Sequence, residues 1–545
     1  MATPFLPPLV TAAVPNRLRD RPHDRLPGRP PGRRFALWPL AVVLLGAAIE
    51  LRAYVFNRSL WLDEASISLN ITQRGYRALT EPLSFGQAAP IAWLWLEHAA
   101  VQAFGPHEQA LRLLPLLSGL LSLLLFWRIA QQMLSRPGAA VAVALFAVSP
   151  FVLAYATEVK PYATDVTCAL ALLLGALSLQ PARRPKRRHY ARWGLLGSAL
   201  VWLSNTSPLL FLGLTAALLV LRRRGPDLRA IGWLAASTVP FALSLGLAYR
   251  VTLEGSSTNA ILLAFWQSGF LPLPVALGTG LSWLGERAGA FLVNPLGLGS
   301  AVTIGVLLAI GLHSLRGQRA PQRTLLVMAF PPFLAAACVH LYPFSERLIL
   351  LLVPFALLLL AASVDHPSRL LQVPALAISL ALLAGSAVAA GRLLVHPAQR
   401  EELGAALDFL TEHHQPGDVV LVDHFAQPAF AFYGPAHHLV QAAAFSKTAE
   451  PIVDCQDQAA LAGLVGPRRV WLVFGHFGVH DPDHGRVARA RLSLYGQPTL
   501  SLTAYGAGVY LFEPGGRARP LTTGPASTST SASPCLQFVP GPAVG

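Results

Sequence analysis

Eleven apolar stretches lie between Phe35 and Ala390, several of them joined by short arginine-rich links. No other feature restricts the fold as much. In hydrocarbon each backbone N–H and C=O must be paired within its own helix or in a closed barrel. Only 13% of the 545 residues are charged, against about a quarter in ordinary soluble domains. The chain therefore reads as an all-α polytopic membrane domain, residues 35–391, of about eleven transmembrane helices.

The stretches are Phe35–Ala53, Ala110–Leu134, Ala139–Ala156, Ala163–Leu179, Trp193–Leu203 with its continuation, and Leu209–Leu221. Ile231–Tyr249, Ala301–Leu315, Leu325–Leu341, Leu348–Ala362 and Val373–Ala390 follow. Several are short for about 30 Å of hydrocarbon and need flanking residues to cross. Ala88–Phe104, interrupted by Pro90, Glu97 and His98, has the length of an interfacial or re-entrant helix. Residues 250–298, with Pro272, Pro274 and Pro295, read as a second outer region of short interfacial helices.

Charge sets the orientation. Residues 1–34 are rich in Pro and Arg and read as a disordered cytoplasmic tail, so Phe35–Ala53 is a retained span running outward. The segments thereby placed inside hold twenty-three Lys and Arg, and the outer loops before the last span hold seven. That is the bias of the positive-inside rule. It accounts for the net charge of +15 without nucleic acid, whose binders carry basic residues along one soluble face.

From 392 to 514 the composition turns soluble. Glu401–Glu412 has helical apolar spacing, Val419–Val422 and Val470–Phe474 read as strands, and Thr499–Thr503 with Val509–Phe512 reads as a hairpin. This is a small α/β domain, placed outside by the topology, and residues 515–545 read as a second disordered tail. The four cysteines, Cys168, Cys338, Cys455 and Cys535, have no metal spacing, and a Cys455–Cys535 disulfide stays open. His476, His480 and His484 with Asp481 and Asp483 lie in a Gly/Pro loop and read as a polar surface loop, not a zinc site. No Walker loop or dinucleotide fingerprint is present, so neither ATP nor a nucleotide-sugar donor is supported.

Four polar segments converge on the outer side: Asp63-Glu64, Gln87–Pro90, Tyr155–Tyr162 and Tyr342–Arg347. An acid at the membrane edge is costly and is usually functional. Each group also has a plainer reading. Asp63-Glu64 can be a solvated helix start, Glu158 with Lys160 a local ion pair, and Arg347 a snorkelling arginine. Arg58 can be a loop charge, and Tyr155, Tyr162 and Tyr342 belt residues.

Trp61-Leu62-Asp63-Glu64-Ala65, Gly86-Gln87-Ala88-Ala89-Pro90 with Ala110-Leu111-Arg112-Leu113-Leu114-Pro115, and Glu158-Val159-Lys160-Pro161-Tyr162 resemble the glycosyltransferases of family 39. These are integral-membrane enzymes of the GT-C fold, similar to protein O-mannosyltransferases and aminoarabinose transferases. The resemblance covers residues 35–220 and, more loosely, Tyr342–Arg347. It implies a GT-C-like domain that moves a sugar from a polyprenyl-phosphate donor to an acceptor hydroxyl on a protein, lipid or polysaccharide. The setting is the extracytoplasmic face of a bacterial-type plasma (inner) membrane.

Asp63 matches the family's catalytic aspartate, with Glu64 beside it in an assisting or capping role. Lys160 and Arg347 would hold the leaving phosphate, and Glu158, Tyr162, Gln87 and Arg58 complete the substrate-binding set. One base without a paired acid predicts inversion at the anomeric carbon. Many members carry His- or Asp-Pro-Pro where this chain has Gln87-Ala88-Ala89-Pro90, which removes a candidate metal ligand. No metal or other cofactor is predicted. A transporter or flippase of lipid-linked sugars is the alternative; it calls for internal repeats and mid-span polar groups, neither of which stands out. A non-catalytic scaffold is the third reading.

Overall fold

The computed structural model describes residues 33–223, 227–253, 260–273, 277–397, 399–439, 443–446, 468–476, 498–513 and 537–539. His480, His484, Asp481, Asp483, Cys455, Cys535 and nearly all of both tails lie outside them. Helices stand at each expected span position, beginning with Arg33–Phe56 and ending with Arg369–Val395.

Several of the expected spans are built from short or broken helices. Among the described residues four helices are long and apolar enough to cross alone, Glu108–Met133, Leu228–Val251, Glu346–Asp365 and Arg369–Val395. Ala301–Ser314 with Gly317–Cys338, bent by 103°, makes a fifth if counted as one. Proline is the cause at several other breaks. The stretch 139–156 divides into Arg136–Ala147 and Pro150–Tyr155, and 325–341 divides at Pro331-Pro332. A proline donates no N–H and disfavours helix in the residue before it. Such breaks are tolerated at membrane depth where neighbouring protein covers the freed backbone. Ile349, where the backbone kinks, and the residues that follow it through Ala361 are buried accordingly.

Helix Leu62–Gln73 and helix Ile91–Phe104 fill the first long loop. The second is the helix expected over 88–104, begun by Pro90.

The C-terminal part is a six-stranded sheet in the order β4-β5-β3-β1-β2-β6. Its strands are β1 (Val419–Asp423), β2 (Ala443–Ser446), β3 (Val470–Phe474), β4 (Pro498–Ala504), β5 (Ala507–Phe512) and β6 (Gln537–Val539). The first three are parallel, and β4–β5 is the hairpin read from the sequence. Continuous apolar runs such as Val470–Phe474 suit strands covered on both faces. Strand β6 pairs antiparallel with β2 and comes from the segment expected to be disordered.

The sheet does not stand apart from the membrane domain. One apolar cluster joins Leu60, Trp93 and Leu111 of the loop region with Leu407, Val422 and Trp471 of the sheet domain. Tyr433 fixes the seam, its hydroxyl donating to Glu108 Oε1 at 2.8 Å and accepting from the Leu60 N–H at 2.8 Å. The two-residue β4–β5 turn, Tyr505-Gly506, places Gly506 at φ +66° against the Arg400 carbonyl, where a Cβ has no room.

Candidate active site

A cavity of about 1630 Å³ opens where this first long loop, the helix ends and the sheet domain meet. Asp63 enters it from the first turn of Leu62–Gln73, where an acid also meets the positive end of the helix dipole. Arg347 Nη2 lies 3.0 Å from Asp63 Oδ2, and Lys160 Nζ lies 3.9 Å from the same oxygen. Lys160 also donates to Gln87 Oε1 at 2.6 Å, and Arg347 sits 5.1 Å over the Trp266 ring. Burial raises the Asp63 pKa, but Lys160 and Arg347 outweigh it and hold the carboxyl below its ordinary value. Burial lowers that of Lys160. Beyond this cluster the wall is largely apolar, with Leu209, Leu212, Phe241, Leu245 and Phe265.

The chain thus brings Asp63, Gln87, Lys160, Tyr162 and Arg347 to one cavity, although 284 residues separate the outermost two. Glu64, Glu158 and Arg58 do not line it. Glu64 is fully buried on the far side of its helix and pairs with Arg112, whose Nε and Nη2 donate at 3.0 and 2.8 Å. The Val159 N–H adds a third bond at 2.9 Å, and Arg58 Nη2 stands 3.6 Å away. Glu64 is therefore neither a solvated cap nor turned toward the site. Glu158 is buried against Arg400, Nη2 to Oε2 at 3.0 Å, and burial raises its pKa.

Several residues of the site escaped sequence reading. Arg400 stacks 4.5 Å over Trp61, and Glu401 accepts from the Leu62 N–H at 3.2 Å. Glu402 accepts from the Ser59 hydroxyl at 2.9 Å. Three successive residues at the start of the sheet domain thus hold the segment leading into Asp63. His476 lines the cavity and stacks on Trp61 at 5.6 Å, which corrects its reading as part of a polar surface loop. Among the described residues no group of acids, histidines and cysteines is arranged to hold a metal ion. A charge inside an apolar motif could have flagged Arg112; nothing local distinguishes Arg400 or His476.

The sequence model of the family described as dolichyl-phosphate-mannose-protein mannosyltransferase matches residues 88–249. The likeness to family 39 read from the motifs is met over that stretch. Among solved structures, the chain is similar to ArnT from Cupriavidus metallidurans bound to undecaprenyl phosphate, with TM-score 0.50 and 14% identity over 88% of this chain and 98% of that one. It is also similar to apo ArnT from the same organism (TM-score 0.49, 14% identity, 88% and 98% covered). A third likeness is to the Archaeoglobus fulgidus oligosaccharyltransferase tethered with an acceptor peptide (TM-score 0.44, 12% identity, 80% and 69% covered). No curated protein matches. The fold is that of ArnT, a GT-C fold.

Proposed function

We propose that this multi-pass membrane protein is a glycosyltransferase that moves a sugar from a polyprenyl-phosphate donor to an acceptor hydroxyl on the extracytoplasmic side. The observation that carries the proposal is one carboxylate, Asp63, facing two cations, Lys160 and Arg347, at the polar end of an otherwise apolar cavity. The apolar wall suits a lipid tail, and the cations suit the phosphate that joins tail to sugar. ArnT bound to undecaprenyl phosphate and a mannosyltransferase family model over 88–249 support this donor class.

A hydroxyl is a poor nucleophile, and a positioned base helps by about 10²–10⁴-fold. Asp63 takes the proton as the acceptor oxygen attacks the anomeric carbon. The carbon–oxygen bond to phosphate breaks, and its electron pair leaves with the phosphate. The leaving group needs positive charge rather than a proton, and Lys160 and Arg347 supply it. Gln87 holds the Lys160 ammonium in place. One base without a paired acid gives inversion.

The test is transfer of radiolabelled sugar from undecaprenyl-phosphate mannose, and from a panel of other polyprenyl-phosphate sugars, in membranes carrying the full chain. Wild type should transfer from at least one donor and Asp63→Asn from none, with both equally folded. Equal transfer by the two would sink the assignment.

A further inference from the structure

His476 is one of two non-glycine residues of the cavity wall, with Phe85, that hold a positive φ. It ends the run out of β3 with φ +59°, the left-handed region that a side chain disfavours. Strain of this kind persists where the surroundings impose it, and it gathers at functional sites. The surroundings here are specific. His476 Nδ1 lies 3.8 Å from Glu401 Oε2, and its ring stacks on Trp61, two residues before Asp63.

The sheet adds an independent reason. From β1 the chain adds β2 on one side and returns to add β3 on the other. The carboxyl ends of β1 and β3 therefore flank a topological switch point, where open α/β sheets place their ligands. His476 follows the end of β3, and His424 and Phe425 follow that of β1. This edge of the sheet meets the cavity. Among the described residues the charged or titratable groups near His476 are Glu401, Asp63, Arg400 and Tyr505, with His424 behind Phe425.

Proton transfer to Asp63 leaves a neutral acid between two cations in a largely apolar cavity. The proton has to leave before the next turnover. Imidazole is the side chain suited to carry it near neutral pH, and a carboxylate on one ring nitrogen orients the other. His476 and Asp63 line the same cavity, and the Trp61 ring on which His476 stacks stands two residues before Asp63.

We propose that His476, oriented by Glu401, receives the acceptor's proton from Asp63 and passes it to bulk water. The proposal rests on Asp63 being the base. The balance is complete. The acceptor O–H breaks and its oxygen bonds to the anomeric carbon, the bond to phosphate breaks with its electron pair, and the proton runs from Asp63 to imidazole to solvent. His476 acts through Asp63 and is a positioning residue for the proton.

The test uses full-length His476→Gly and Glu401→Gln with radiolabelled undecaprenyl-phosphate sugars that wild type accepts. Glycine adopts φ +59° freely, so any fall in the melting temperature of His476→Gly reads the lost Glu401 and Trp61 contacts and is scored apart from the rate. Its transfer rate should fall by about tenfold or more, the low-pH limb of its rate profile should move, and added imidazole should restore transfer. Glu401→Gln, which keeps an acceptor for the Leu62 N–H, should move the same limb with a smaller loss. A wild-type rate and profile in His476→Gly overturns the relay. So does a loss that imidazole leaves unrestored while the profile stays put, which marks a structural strut. If wild type transfers from none of these donors, the reading beneath fails first and takes the relay with it.

Discussion

Glu64 gives both of its oxygens to Arg112, at 3.0 Å from Nε and 2.8 Å from Nη2, and takes the Val159 N–H on Oε1 at 2.9 Å. The acid beside the proposed base is thereby a strut. It ties helix Leu62–Gln73 to helix Glu108–Met133 and to the loop that carries Lys160.

Replacing Glu64 by Ala strands a buried guanidinium, and breaking a buried pair in this way costs about 3–5 kcal/mol. The variant should melt well below wild type in detergent, whereas Asp63→Asn should not. A Glu64→Ala protein with the wild-type melting temperature would remove the strut from the account.

The same pair fixes a pH dependence. Burial alone would raise the Glu64 pKa from its ordinary 4.5, but Arg112 and Arg58 bring it down to about 2. A carboxyl depressed by folding stabilises the fold above its unfolded pKa and loses that contribution as pH falls through the folded one. The contribution is about 3 kcal/mol, complete above about pH 4.5 and lost toward pH 2. Acid denaturation of wild type should steepen in this window, and that of Glu64→Gln should not.

Arg347→Gln removes the cation nearest Asp63. A hydrogen bond to a charged group contributes about 1.5–3 kcal/mol, so undecaprenyl phosphate should bind roughly 10- to 100-fold more weakly. Lys160→Gln should act in the same direction. Unchanged binding in both variants would move the phosphate elsewhere.

Asp63 holds the two cations while the site is empty, and a bound phosphate would compete for them. Its pKa should therefore climb toward the ordinary carboxylate range once donor binds. The low-pH limb of kcat should lie at higher pH than that of kcat/KM, because the former reports the loaded enzyme. Coincident limbs would contradict this exchange.

The cluster around Asp63 was legible because its members stand out locally. Asp63, Lys160 and Arg347 are charges at the ends of apolar stretches, and such charges seldom lie there without use. Glu64 and Arg58 were legible as functional candidates for the same reason, but only packing reveals that each turns toward Arg112's neighbourhood and away from the cavity. Arg400 and His476 lie in soluble sequence, where an arginine or a histidine is unremarkable. Their meaning comes from the fold-back of the sheet domain onto the loop, a long-range contact with no periodic signature. The spans were counted by composition, which is blind to the bends that Pro150 and Pro331 introduce.

Trp61 carries the Arg400 guanidinium at 4.5 Å and the His476 imidazole at 5.6 Å on one indole. Any motion lifting the sheet off the membrane floor must peel both from that ring, and the disturbance arrives two residues from the proton acceptor. Indole emission should therefore register the opening of the site in an unlabelled protein.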